Sequence, residues 1–339
     1  MTNFSELTTL HVGGPVQSVI RATTEAQLIA AVRAADEAGT ELLIIGGGSN
    51  LLVGDRGFDG IVIVVETTGN SYEIDACSGG MLQVAAGVNW DEFVAFTVEK
   101  KLANLESLSG IPGTIGGAPI QNIGAYGHEV SEVIARVRTY DRVIKAVRTF
   151  TADQCEFSYR DSIFKHSAGR YVILDVTFHL RRGEFSLPVK YKELADVLGV
   201  DIDTRVPTAE LRTAVLALRE KKGMLYDSEH QNWSAGSFFI NPIISQEQAL
   251  KLPEGAPRWP QPEGLIKTSA AWLMESAGVS KGEQVNGAKI SDRHVLALTN
   301  TGDATAEDIV QLARFARARV AEKFGITLVP EVRFVGIEL

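Results

Sequence analysis

The chain has 339 residues, 45% hydrophobic and 22% charged, with 33 Lys and Arg against 42 Asp and Glu for a net charge of -9. That length and balance suit an ordinary folded protein of two or three domains and exclude the disordered and fibrous classes. The negative balance sets the overall field against a nucleic-acid partner, and no basic run offsets it.

The opening stretch "MTNFSELTTLHVGG" has neither a basic leader nor an apolar core, so no secretory signal is expected. No apolar run reaches the ~18 residues that cross a bilayer. A cytoplasmic location without membrane contact is therefore expected. Cys77 and Cys155 fit neither a metal spacing nor a disulfide framework. His11, His128, His166, His179, His230 and His294 form no HxH, HExxH or Cys–His pattern, so no metal site is expected.

In chain order, "SVIRA" reads as a strand, and Thr24 to Ala38 as a helix with a threonine at its start and Gly39 at its stop. "ELLIIGGGSN" is a buried strand ending in a glycine turn, and "IVIVVE" another buried strand. Short strands run from Ser71 to Gly87. A helix capped by Asn89 follows ("NWDEFVAFTVEKKL"), then a glycine loop, then strands near Ile134–Arg148 and Tyr171–Arg181. After Gly183 helices are expected at Tyr191–Leu198 and Thr208–Lys222. Pro253–Pro262 is a connector, and the last unit runs helix Thr268–Gly278, strand "HVLALTN", helix Ala306–Phe324 and strand "TLVPEVRFVG". The pattern is α+β in about three parts, with the main boundary between 183 and 225.

Five stretches could carry chemistry. In "IIGGGSNLL", three glycines after a buried strand let backbone N–H groups form an anion nest, with Ser49 and Asn50 adding side-chain bonds; the plain alternative is a tight turn. The stretch is no Rossmann motif, because Leu51 stands where the third glycine belongs, and no P-loop. In "SGIPGTIGGAPIQNIGAYG", Gly110, Gly113, Gly116 and Gly117 recur at a spacing expected to leave N–H groups uncovered, while Pro112 fixes a turn. Two such loops favour a dianionic cofactor held by backbone.

The third stretch, "SYRDSIFK", offers Arg160 either as a surface ion-pair partner or as a planar fork for a carboxylate. In "SAGSFFINP", Ser237 puts a hydroxyl at the start of an apolar strand, without the surroundings of a hydrolase elbow. In "VPEVRFVG", Glu331 and Arg333 share one strand face, which by itself suits a surface ion pair.

With these five stretches in this order, nearly end to end, the chain resembles the UDP-N-acetylenolpyruvoylglucosamine reductase family, in its branch with an extra tyrosine-bearing segment, here Tyr191 in "VKYKEL". The resemblance implies an FAD-binding domain of the vanillyl-alcohol-oxidase type over about 14–183, built of two α/β subdomains, and a smaller α+β substrate-binding domain. The expected parts are 1–70 as the first FAD subdomain with strand 326–339 returning near it, 71–218 as the second, and 219–325 as the substrate domain.

It also implies dissociable FAD, with Gly46, Gly47, Gly48, Ser49, Asn50 and Leu51 on one side of its diphosphate. Gly110, Ile111, Pro112, Gly113, Thr114, Gly116 and Gly117 would lie on the other, and Asn122, Gly124 and Ala125 near the flavin. NADPH would be the reductant and UDP-N-acetylglucosamine enolpyruvate the substrate of a monomeric enzyme. Arg160, Ser237 and Glu331 carry over as catalytic residues, Ser237 as proton donor. Tyr126, Tyr159, Tyr191, Lys222, Asn241, Lys267 and Arg333 carry over as substrate contacts. The chain departs from the family at Lys222-Gly223-Met224, where Lys-x-Pro is common, and at Trp259, where tyrosine is expected. His128 is the one histidine placed to attach a flavin covalently. Two alternatives stand beside this reading: an FAD-dependent alcohol or sugar oxidase using O2, and a nucleotide-binding module that has lost its chemistry.

Overall fold

The computed structural model describes residues 2–75, 79–167, 169–227, 229 and 233–339; Cys77 and His230 lie outside them. The architecture is the expected α+β mixture, and the backbone clusters into two units. One comprises residues 16–47 and 59–221, the other 1–15, 48–58 and 222–339. Thus 1–15 and 48–58 cluster with the C-terminal third of the chain, while the rest of the 1–70 segment belongs to the first unit.

The first unit opens with a three-stranded sheet in the order Val16–Ala22, Phe58–Val65, Leu42–Ile45, the last two parallel with Leu42 opposite Ile61. Helix Glu25–Ala38 covers it. Thr24 caps that helix by accepting the Gln27 N–H, and Gly39 ends it at φ 64°. An antiparallel sheet follows in the order Ala146–Thr151, Ile134–Asp141, Tyr171–Arg182, Gly79–Ala85, Asn70–Asp75. Helix Trp90–Glu99, capped by Asn89, lays Trp90 and Phe93 against Phe178 of this sheet, with ring centroids 6.1 and 5.0 Å away. A smaller core joins helices Lys192–Leu198 and Thr208–Lys221 through Leu194, Leu211, Val215 and Leu218.

In the second unit, helix Ala306–Phe324 buries Ile309, Val310, Ala313 and Ala316 against a core that includes Leu273, Met274, Ile290 and Leu298. Its start is held twice: Thr305 accepts the Asp308 N–H, and Asp55 accepts those of Ala306 and Glu307. Strand Leu51–Val53 runs parallel to Arg333–Val335. The stretch "HVLALTN" is strand only over Leu298–Asn300, because Ala297 N–H turns back to the His294 carbonyl. The final strand is likewise only Arg333–Val335, since Pro330 supplies no N–H to a ladder.

Among the described residues, no helix is long and apolar enough to cross a membrane, and no cluster of His, Cys, Asp and Glu could hold a metal. Cys155 is free and buried, and burial pushes its thiol up to about 12.

Candidate active site

In the first unit the two glycine-rich stretches meet. A methyl on Gly46 would fall 2.2 Å from Thr114 Oγ1, and one on Gly47 would fall 3.1 Å from Gly113 Cα. The loop is held along its length. Trp90 Nε1 donates to the Leu108 carbonyl (3.0 Å), Gly110 N–H donates to Asp91 Oδ1 (2.6 Å), and Trp90 N–H donates to the Gly113 carbonyl (3.1 Å). Ile115 N–H reaches Val88, Gly116 N–H reaches Ala86, and Gly117 N–H reaches Thr114.

This corrects one expectation. The N–H groups of Gly110, Gly116 and Gly117 are not bare, because they fasten the loop to the protein. Among the described residues, the N–H groups of Gly47, Gly48, Ile111, Gly113 and Thr114 make no backbone–backbone hydrogen bond.

Beyond the loop the chain makes a tight hairpin. Gly124 pairs with Glu129 and Ala125 with His128, and the turn residues Tyr126 and Gly127 both have positive φ, 51° and 87°. Asn122, fully buried at φ 46°, fixes the base of the hairpin. Its amide nitrogen donates to Glu129 Oε2 (2.7 Å) and the Ser158 carbonyl (3.0 Å), while its amide oxygen accepts the Ser131 N–H (3.1 Å). The Asn122 side chain thus has a buttressing job that its expected place near a flavin did not include.

Arg160 reaches the same hairpin from a second tight turn, in which Ser158 and Asp161 exchange both backbone hydrogen bonds and Arg160 sits at φ 56°. Its guanidinium donates to the Gly124 carbonyl (2.6 Å) and the Asn122 carbonyl (3.3 Å), with the Tyr159 ring centroid 5.5 Å away. Gly124 has to be small here, since a Cβ would stand 2.8 Å from the backbone His128 carbonyl and as close to Arg160 Nη1. Arg160 therefore keeps a fixed orientation with part of its donor fork already committed.

Tyr126 meets Tyr191 edge to face, centroids 5.9 Å apart. Burial pushes the Tyr126 phenol up to about 12, and it raises that of Tyr191 as well. Arg219, buried on helix Thr208–Lys221, has its guanidinium pulled down by burial, against the pull of the nearby Tyr126 and Asp91. His128 is buried with Nδ1 2.9 Å from Glu132 and Nε2 3.3 Å from the Pro188 carbonyl, so both ring nitrogens are engaged.

The second unit gathers other expected residues. Ser237 directly precedes Phe238 and Phe239, both 1% exposed. Phe238 N–H donates to Leu296, Glu331 N–H donates to the Phe238 carbonyl (2.8 Å), and Phe239 pairs with Pro330. The main chain just after Ser237 thus lies against that of Glu331. Asn50 Nδ2 holds the Glu331 carbonyl (3.1 Å), and its own carbonyl accepts the Arg333 N–H (3.0 Å), so Asn50 fixes the Glu331 segment. Leu51 pairs with Arg333 in the parallel ladder. Gly48 sits at φ 61°, where a Cβ would strike the Leu7 carbonyl at 1.9 Å. Asn241 Oδ1 accepts the Ala270 N–H (3.0 Å) at the start of helix Ala270–Ser276, which Ser269 caps, and Lys267 lies in a ladder with Ile243 and Trp259. Lys222 directly follows helix Thr208–Lys221.

Asp91 was not singled out from sequence. An acid in the first turn of a helix reads as a partner of the helix dipole, and nothing local announces that it binds a distant loop.

Two family models match the chain: an FAD binding domain over residues 16–150, and the C-terminal domain of UDP-N-acetylenolpyruvoylglucosamine reductase over 228–335. The chain is 53% identical over 334 residues to the UDP-N-acetylenolpyruvoylglucosamine reductase of Cutibacterium acnes, covering 97% of this chain and 88% of that protein. It is 49% identical to the Streptomyces avermitilis protein of the same name, covering 98% and 93%. The crystal structure of UDP-N-acetylenolpyruvylglucosamine reductase from Thermus caldophilus aligns with a TM-score of 0.67 at 25% identity, covering 98% and 97% of the two chains.

Proposed function

The chain belongs to the UDP-N-acetylenolpyruvoylglucosamine reductase family, and from that premise we propose that it binds FAD non-covalently and uses NADPH to reduce the enolpyruvyl group of UDP-N-acetylglucosamine enolpyruvate to UDP-N-acetylmuramate. The step belongs to cytoplasmic synthesis of peptidoglycan precursors. The observation that carries the reading is the contact of Gly46 and Gly47 with Gly113 and Thr114, which brings the bare backbone of both glycine-rich stretches to one place where a diphosphate can be held. Backbone donors suit an acidic chain, because they neutralise an anion locally without a lysine. The engagement of both His128 nitrogens supports dissociable rather than covalent FAD.

FAD, when bound, carries a hydride from NADPH to the vinyl carbon of the substrate. The protein must then stabilise the charge that grows on the adjacent carbon and its carboxylate, and deliver a proton there. Arg160 grips that carboxylate from a guanidinium already oriented by the Gly124 and Asn122 carbonyls. Glu331 works beside a growing negative charge only when protonated or hydrogen-bonded. Ser237 delivers the proton, and a weakly acidic hydroxyl needs dry surroundings to do so, which the half-buried Ser237 would gain once the substrate covers it. Lys222, Asn241, Tyr191 and Tyr126 contact the sugar nucleotide, with Tyr159, Lys267 and Arg333 as further contacts. An oxidase has no use for Arg160, Ser237 and Glu331 together.

Anaerobic mixing tests the proposal. NADPH is expected to bleach the flavin, and the enolpyruvyl sugar nucleotide to restore its colour without oxygen. A spectrum unchanged by NADPH, or recovery only with O2, would refute it.

A further inference from the structure

We propose that Asp91 is the positioning residue that holds the glycine loop and helix Thr208–Lys221 in one arrangement, and that cofactor affinity depends on it. Asp91 lies in the first turn of helix Trp90–Glu99. Its Oδ1 accepts the Gly110 N–H at 2.6 Å and Arg212 Nη1 at 2.6 Å, and its Oδ2 accepts Arg212 Nη2 at 2.8 Å. An ordinary surface pair between two helices would leave the loop free. Here one oxygen carries both the loop and the arginine, so neither can move without disturbing the other.

The lever to the nest is short. Gly110 lies three residues before Gly113, whose N–H, like that of Thr114, makes no backbone–backbone hydrogen bond among the described residues, at the place where the loop meets Gly46 and Gly47. The loop between them is pinned at Gly110 by Asp91 and at the Gly113 carbonyl by Trp90. Release of the first pin lets the donors drift, and hydrogen bonds weaken steeply with distance and angle. Arg219 lies seven residues beyond Arg212, on the same helix face two turns on. It is buried and within reach of the Asp91 charge. Loss of that charge leaves Arg212 without its carboxylate.

The same unit holds a control of matching chemistry. Asp141, fully buried, accepts Arg170 Nε (2.9 Å) and Nη2 (2.7 Å), and it caps the Val143–Ile144 turn instead of the glycine loop. Its removal costs stability without touching the nest.

The affinity half of the proposal rests on FAD being the cofactor, so two readouts are taken on full-length protein stripped of flavin. In the first, FAD is titrated by fluorescence quenching into wild type, Asp91→Asn, Asp91→Ala, Arg212→Met and Asp141→Asn. The second follows hydrogen–deuterium exchange of the peptide spanning 108–117 in the same proteins. The FAD Kd is expected to rise at least about tenfold for Asp91→Ala and Arg212→Met, with faster exchange in that peptide and an intermediate effect for Asp91→Asn. Asp141→Asn is expected to lower Tm while leaving both readouts near wild type. Should Asp91→Ala fail to fold, Arg212→Met, which leaves the carboxylate on Gly110, carries the test. A folded Arg212→Met or Asp91→Ala with wild-type Kd and wild-type exchange overturns the proposal, as does an equal effect of Asp141→Asn. Wild-type protein that binds no FAD refutes the cofactor reading instead, and the exchange comparison then decides the role of Asp91.

Discussion

Gly46 and Thr114 stand so close that a single methyl on the glycine would lie 2.2 Å from the threonine hydroxyl. Two segments far apart in sequence therefore approach to backbone distance in the first unit, and the missing side chain permits it. Gly46→Ala is expected to cost about 1–3 kcal/mol of stability through this overlap and to weaken FAD retention. A second change, Thr114→Ala, removes the colliding oxygen and should recover most of the loss, whereas Thr114→Ser keeps the oxygen and should not. Thermal melts and flavin content of the three proteins check this; equal recovery by alanine and serine would show that the overlap is not the cause.

Asn122 offers a test of stability without chemistry. Its buried amide makes three hydrogen bonds, to Glu129, Ser158 and Ser131, at a positive φ. Removal takes the acceptor from the half-buried Ser131 N–H and leaves the Ser158 carbonyl only its bond from the Asp161 N–H, so Asn122→Ala is expected to lose about 1–3 kcal/mol in urea denaturation. Asn122→Asp should be worse, because it sets a carboxylate against Glu129. A loss under 1 kcal/mol for the alanine variant, roughly the net worth of one bond, would mean that water or a shifted backbone replaces the amide.

Much of this arrangement was legible in the sequence and some was not, for physical reasons. Helix Ala306–Phe324 could be placed residue by residue because Thr305 and Gly325 mark its ends. Strand Tyr171–Arg182 announced itself by alternation. Strand Leu51–Val53 did not, because three residues have no period and its partner, Arg333–Val335, lies near the far end of the chain. The glycine loops were recognisable as bare backbone, yet which N–H groups are uncovered depends on Asp91, Ala86 and Thr114, which no local pattern identifies. Arg160 was visible as a candidate fork, but its positive φ and its grip on Gly124 were not.

Tyr126 gives a pH dependence with a definite sign. Burial pushes its phenol up to about 12, whereas an unfolded chain ionises near ~10. Below both values the group is neutral in either state and stability does not change with pH through it. Between them the unfolded chain has lost the proton that the folded protein keeps, so unfolding free energy falls as pH rises across that window. Tyr126→Phe should flatten this part of the stability profile in denaturant titrations from pH 9 to 12, while leaving the neutral-pH value little changed. An unchanged slope would mean that the phenol ionises as freely in the folded protein as in the unfolded chain.

Arg160 and Ser237 separate the two halves of the proposed reaction. Neither is needed for NADPH to reduce the flavin, and both are needed once charge develops on the substrate. Ser237→Ala is therefore expected to leave anaerobic bleaching by NADPH near wild type and to slow recovery with the enolpyruvyl sugar nucleotide by roughly 10²–10⁴. Arg160→Lys keeps a positive charge but loses the planar fork that the Gly124 and Asn122 carbonyls orient. It should slow the same half about as severely and raise the KM for the sugar nucleotide, with the KM for NADPH little changed. Stopped-flow traces of the two half-reactions distinguish the roles. Equal damage to both halves by Ser237→Ala would remove Ser237 as the proton donor, because a group that acts only on the substrate cannot slow a step that occurs before the substrate arrives.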